Sequence, residues 1–294
     1  MKFLKLSKKL EVEKLKVEGH THTELCPHGS GEATEKMVQR AIELGFEEYC
    51  ITEHAPLPKG FERVYEGSPE GIIEASLSWN QLDDYIKLVR ALQKKYCNVI
   101  KISLGFEVDY LPGFEDQIRV FLDEYGPLTE QNILSVHFMC GANNKFWCLD
   151  LSPEDFEKGF SPLFSNPQLL YCNYFELVKS SLEADLGEFK PQRIGHMSLI
   201  KKYQDYFGLP EFFNKDTMQL ITQIIKLIKN QGRQLDFNTA GMYKTYCNEF
   251  YPGGQICRLA YKNKIPLIYG SDAHSIAEVG RGYHLKNLFS GLDR

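Results

Sequence analysis

The chain has 294 residues, of which 43% are hydrophobic and 25% charged, and a formal net charge of -5. That balance excludes a disordered chain, and it argues against a general affinity for nucleic acid or anionic membrane, although a local basic pocket can still hold a phosphate. No apolar run approaches the roughly 20 residues that span a bilayer, and the first residues carry no signal-peptide h-region, so a cytoplasmic protein is expected.

Residues 1–16 hold six lysines among scattered Leu and Val and read as a solvated extension. Beyond them, short apolar runs alternate with helical patterns, as in repeated β-α units. Strands are predicted at Lys16 to His20, Glu48 to Thr52, Val99 to Phe106, Ile133 to Val136, Arg193 to Gly195, Gln234 to Asn238 and Pro266 to Gly270. Helices are predicted at Thr34 to Leu44, Trp79 to Lys95, Glu115 to Glu124, Pro167 to Asp185, Glu211 to Asn230, Gly254 to Asn263 and Ile276 to Ser290. Leu220, Ile224, Leu227 and Ile228 give the helix ending at Asn230 one apolar face at helical spacing. No repeat or Pro/Gly-rich linker divides the chain. The connections Ala55 to Ser78 and Met139 to Pro153 are long for a compact α/β domain, which points to a functional rim.

The eight cysteines include no Cys-x-x-Cys pair and are expected as reduced thiols. Cys50 suits a small buried hydrophobe. Cys26 sits among histidines, with packing the primary reading and metal ligation the alternative.

Histidine placement carries most of the chemistry. His20 and His22 end the first apolar run, and their i, i+2 spacing on a strand turns both to one face. His54, His137 and His196 each follow another run, the third run ends in Glu107, and the last leads to Asp272 and His274. In a parallel α/β barrel such strand ends share one rim, and imidazole with carboxylate suits Zn, Fe or Mn. His284 fits no such pattern and is read as an ordinary hydrogen-bonded core or surface residue.

The motifs His20-Thr-His22-Thr, Cys26-Pro-His28, Thr52-Glu-His54, Gly105-Phe-Glu107-Val-Asp109, Ser135-Val-His137, Ile194-Gly-His196, Asp236-Phe-Asn238 and Gly270-Ser-Asp272-Ala-His274 resemble those of the PHP (polymerase and histidinol phosphatase) superfamily, specifically its histidinol-phosphate phosphatase branch. The resemblance runs from about Val17 to about Leu288 and implies an α/β fold, a distorted (β/α)7 TIM-like barrel in a single domain over residues 17–294. It also implies two or three divalent metal ions. His20, His22, Glu107 and Asp272 would hold one; Glu107 would bridge to a second held by His137 and His196; His28, His54 and His274 would hold a third.

The implied activity is hydrolysis of L-histidinol phosphate in histidine biosynthesis, with a hydroxide bridging two ions as the nucleophile. Asp272 or His274 would handle the leaving-group proton. Arg193 and Lys244 are the leading phosphate-binding cations, with Arg63 and Arg281 behind them, and Asn238 is a further candidate for substrate contact. Glu53, Asp109, Phe138 and Tyr251 are candidates for the histidinol moiety. The expected partner is a small phosphate monoester, with neither nucleic acid nor membrane, and self-association is left open. The alternatives are another phosphoesterase on this scaffold, acting on nucleotides or diesters, and a catalytically silent metal-binding domain.

Overall fold

A computed structural model describes residues 15–289, so most of the lysine-rich extension lies outside the described residues. In chain order the strands are β1 (Val17–Thr21), β2 (Glu48–His54), β3 (Lys101–Asp109), β4 (Ile133–Ser135), β5 (Phe138–Cys140), β6 (Phe146–Cys148), β7 (Arg193–Ile194), β8 (Gln234–Asn238) and β9 (Leu267–Gly270). The helices are α1 (Thr34–Glu43), α2 (Glu70–Ile73), α3 (Leu82–Tyr96), α4 (Glu115–Tyr125), α5 (Pro153–Phe160), α6 (Pro167–Glu183), α7 (Lys215–Asn230) and α8 (Gly254–Lys262).

Seven strands form one parallel sheet in the order β1-β2-β3-β4-β7-β8-β9. Its two edges meet, because Thr21 bridges Ala273, the His22 amide donates to the Ala273 carbonyl and the Asp272 amide to that of His20, both at 2.9 Å. The result is the expected distorted TIM-like barrel. Strands covered on both faces need near-continuous apolar or internally satisfied side chains, and every residue of β2 is buried. Outside, α7 lays Leu220, Ile221, Ile224, Ile225 and Ile228 onto the core. Each such side chain contributes about 1.5–3 kcal/mol of burial free energy.

Helix α7 begins four residues later than its periodicity suggests, because Asn214 caps it by accepting the Thr217 amide at 2.9 Å. The helix predicted at Ile276 to Ser290 is a correction: the described part is two 3₁₀ turns, Ile276–Glu278 and Tyr283–Phe289. Gly280 and Gly282 stand between them at φ of 77° and 70°, left-handed values that interrupt a right-handed helix. Both long connections contain structure of their own. The first carries α2, and the second folds as the antiparallel hairpin of β5 and β6. Among the described residues no helix is long and apolar enough to cross a membrane.

Candidate metal centre

The carboxyl ends of the barrel strands bring all nine candidate ligands to one rim. His20, on β1, and His22, just past its end, are fully buried. His20 has its Nε2 3.1 Å from Glu107 Oε2 and 3.7 Å from Asp272 Oδ1. His22 Nε2 lies 3.1 Å from Asp272 Oδ1 and 3.6 Å from Glu107 Oε2. The other Glu107 oxygen, Oε1, is 2.8 Å from His196 Nε2 and 3.7 Å from His137 Nε2. The Glu107 carboxylate therefore faces two histidine pairs, one with each oxygen.

A third grouping lies beside His22. His28 and His274 bring their Nε2 atoms to 3.0 Å, and the His22 and His274 rings stack at 4.0 Å. His54 stands between groupings. One of its ring nitrogens lies within 4.8 Å of donors from His22, Cys26 and His274, and His54 likewise groups with Glu107 and His137. Cys26 is buried, as packing requires, yet its thiol is near enough to be counted among the donors.

What orients these rings is visible on their far sides. The Nδ1 of His20 pairs with Asp236 Oδ2 at 2.8 Å, that of His22 with Glu53 Oε1 at 3.0 Å, and that of His137 with Asp109 Oδ1 at 2.9 Å. Backbone carbonyls serve two more: Glu74 O accepts from His28 at 2.6 Å and Asp272 O from His274 at 3.0 Å. An acceptor on Nδ1 fixes the tautomer that leaves Nε2 as a lone-pair donor, the outer-shell pattern of metal-bound histidine.

Opposed lone pairs at such range repel unless a cation lies between them. The 3.0 and 3.1 Å separations of His28 from His274 and of His137 from His196 are close to the roughly 3.4 Å that separates two donors sharing one tetrahedral ion at about 2.1 Å. His54 Nδ1 is 3.3 Å from Glu107 Oε2 but makes no hydrogen bond. An orphaned nitrogen beside a carboxylate is resolved by an ion, so the donor set fits a divalent cluster.

Charge agrees. Burial disfavours ionisation of Glu107, yet His20, His54, His137 and His196 hold its carboxyl well below the ordinary range. His20 and then His22 and His274 do the same for Asp272. Burial opposes charge on His22 and His137 too, but Glu53 pushes the first up to about 9 and Asp109 the second up to about 10. Burial and the adjacent His22 hold His54 and His274 well below theirs. Asp272 also sits at φ of 54°, a strained backbone for a non-glycine residue that is typical of functional sites.

The predicted substrate-binding residues fare unevenly. Lys244 is exposed and lines a cavity of about 360 Å³ that opens over the cluster. Arg193 does not. It is 2% exposed at the opposite, amino end of the strands, where its guanidinium donates to the Gly19 carbonyl and to Gln131 Oε1. Its role is to plug the barrel. Gly19 has no room for a Cβ, which would stand 2.6 Å from the Tyr269 carbonyl.

Arg63 is exposed and pairs with its neighbour Glu62 away from the cavity. Asn238 is fully buried, donates to Asp272 Oδ2 at 3.0 Å and accepts the Ala240 amide at 2.9 Å. It positions a ligand rather than facing substrate. Arg281 donates to the carbonyls of Ser271 and Asp272 and to Glu278, bracing the same loop. Glu53 and Asp109 are likewise occupied by the rings they orient, while Phe138 and Tyr251 do line the cavity. His284 is exposed.

Sequence reasoning missed Lys202, whose Nζ reaches the cavity wall held by the Asp150 carbonyl at 2.6 Å and carboxylate at 3.1 Å. No spacing signals it. It also gave no role to Asp236, although that residue lies in a quoted motif two positions before Asn238, on the same strand face.

The model of the PHP domain matches residues 18–240, and that of a PHP-associated region matches residues 254–286. The histidinol-phosphatase of Bacillus subtilis is 37% identical over 268 residues, which cover 91% of this chain and 97% of that protein. Among solved structures, a candidate histidinol phosphatase from Listeria monocytogenes superposes with a TM-score of 0.89 at 45% identity, covering 92% of this chain and 99% of that one. The histidinol phosphate phosphatase of Lactococcus lactis, solved with zinc, L-histidinol and phosphate, gives a TM-score of 0.60 at 19% identity, with 93% of each chain covered. That last likeness concerns the fold.

Proposed function

The chain belongs to the PHP domain family, and from that premise we propose that it hydrolyses L-histidinol phosphate to L-histidinol and phosphate, a cytoplasmic step of histidine biosynthesis. The observation that carries the reading is the convergence of nine imidazole and carboxylate donors, backed by outer-shell acceptors, beneath a cavity with lysines on its wall. Full-length similarity to a histidinol-phosphatase supports the substrate.

We assign His20, His22, Glu107 and Asp272 to one ion, Glu107, His137 and His196 to a second, and His28, His54 and His274 to a third, with His54 close enough to Glu107 to serve the second as well. Zinc, found with the Lactococcus lactis protein, is the first choice, with iron and manganese suited to the same donors. Residues 17–294 are proposed to act as one domain. Divalent ions bound there supply neutralisation of the phosphate dianion and an activated water at neutral pH.

The chain's own residues do the rest. Lys202 and Lys244 take phosphoryl charge at the wall, and Asp150 keeps Lys202 extended toward it. Asn238 and Asp236 hold Asp272 and His20 in register. Asp272 or His274, both lining the cavity, is assigned the proton that the leaving alkoxide takes up.

The test is phosphate release by zinc- or manganese-loaded protein from histidinol phosphate, from other monoesters and from nucleotide diesters. Histidinol phosphate is expected to give the highest kcat/KM. A preference for diesters would sink the reading.

A further inference from the structure

Six carboxylates line the cavity: Glu70, Glu74, Asp109, Asp150, Asp272 and Glu278. Four are already engaged. Asp109 holds His137, Asp150 holds Lys202, Asp272 meets His20 and His22, and Glu278 accepts from Arg281 and from the His274 amide. Among the described residues Glu70 and Glu74 alone of the six have neither an ion pair nor a side-chain hydrogen bond. Both belong to α2 and its C-cap, in the connection that follows β2.

Around the ring of strands, β7 and β8 are the two farthest from β2. Lys202 follows β7 and Lys244 follows β8. The cavity thus has cations on one side of its mouth and unneutralised carboxylates on the other, with the metal ligands below. The acidic side is fixed in place. Asp155 Oδ1 accepts from the Ser68 amide at 3.0 Å and hydroxyl at 2.6 Å, and the Glu74 carbonyl accepts from His28 at 2.6 Å. The buried ring of Tyr251, 2% exposed, completes the wall on the side of β8.

We propose that Glu70 and Glu74 are the specificity determinants of this site, receiving the cationic amine and imidazole end of the substrate while its phosphoryl end lies at the metal and lysine side. This deepens, and rests on, the histidinol phosphate reading above. A dipolar substrate that is anionic at one end and cationic at the other matches the two walls, and charge complementarity of this kind sets specificity more than raw affinity. Glu74 acts twice, its carboxylate toward substrate and its carbonyl toward His28, so that substrate recognition and the third ligand grouping share one short segment.

The test compares wild type with Glu70→Gln, Glu74→Gln and the double variant on histidinol phosphate and on p-nitrophenyl phosphate, whose leaving group carries no cation. The ratio of kcat/KM for the two substrates is expected to fall about tenfold for each single variant, about the loss of one exposed charge-assisted contact, chiefly through KM for histidinol phosphate. L-histidinol should weaken as a product inhibitor in parallel, and inorganic phosphate should not. An unchanged ratio, or an equal loss on both substrates, overturns the proposal. Wild type that turns over p-nitrophenyl phosphate but not histidinol phosphate overturns the substrate reading itself and this proposal with it.

Discussion

At the scale of single residues, the centre is organised around Glu107, whose two oxygens face different histidine pairs. A neutral isostere keeps its shape but removes the charge that five imidazoles surround. Glu107→Gln is therefore expected to lose at least one ion by elemental analysis and to lower kcat by about 10³-fold or more, the scale of removing a transition-state charge stabiliser. Full activity with full metal content would refute the bridging role. Most of the proposed ligands were legible because they stand at or just past the end of an apolar strand, and a strand that must be buried fixes where its last side chain points; His28, in a loop, comes from the family resemblance alone. Their supports were not legible. Lys202 reaches the cavity from just past a 3₁₀ turn, Leu199–Lys201, whose position depends on how β7 packs, and Arg193 reads as a phosphate ligand from its charge and its nearness to His196, although it opens its strand and so lies at the far end of the barrel.

At the scale of elements, continuous apolar runs located the seven barrel strands, which are covered on both faces, and the repeat imposed by burial on one face located most helices. Such patterning said less where no repeat exists: α2 has four residues and β5 and β6 three each, too short to carry one. Ends of elements depend on particular contacts instead. The last carbonyls of α6 are met by Lys190, whose Nζ donates to Leu182 and Ala184 at 2.8 and 2.7 Å.

Burial, followed by the nearby Arg233, lowers the Lys190 pKa from 10.5 to about 8. Between those values the unfolded chain holds the proton and the native side chain does not, so stability attributable to this group rises with pH across that window. Below about pH 8 its full cost is present, at most about 3 kcal/mol. The melting temperature of wild type relative to Lys190→Met should accordingly improve as pH is raised from 8 to 10. A difference independent of pH would show that the ammonium is not desolvated.

At the scale of the whole molecule, the sequence predicted a barrel with ligands on one rim, but it could not say how that barrel closes. Closure comes from backbone hydrogen bonds between β1 and the loop after β9, made by His22, His20, Asp272 and Ala273. Three of these four are proposed metal ligands. Stripping ions with a chelator is therefore expected to lower the melting temperature as well as abolish turnover, and to speed hydrogen exchange at the His22 and Asp272 amides ahead of amides in β2 and β3. Uniform exchange across the sheet would contradict this. Seen this way the ring has a seam, the place where the two edges of the sheet are stitched together, and the ions proposed at that rim would double as its rivets: a cell short of metal would hold not an idle enzyme but a barrel free to unbutton at that line.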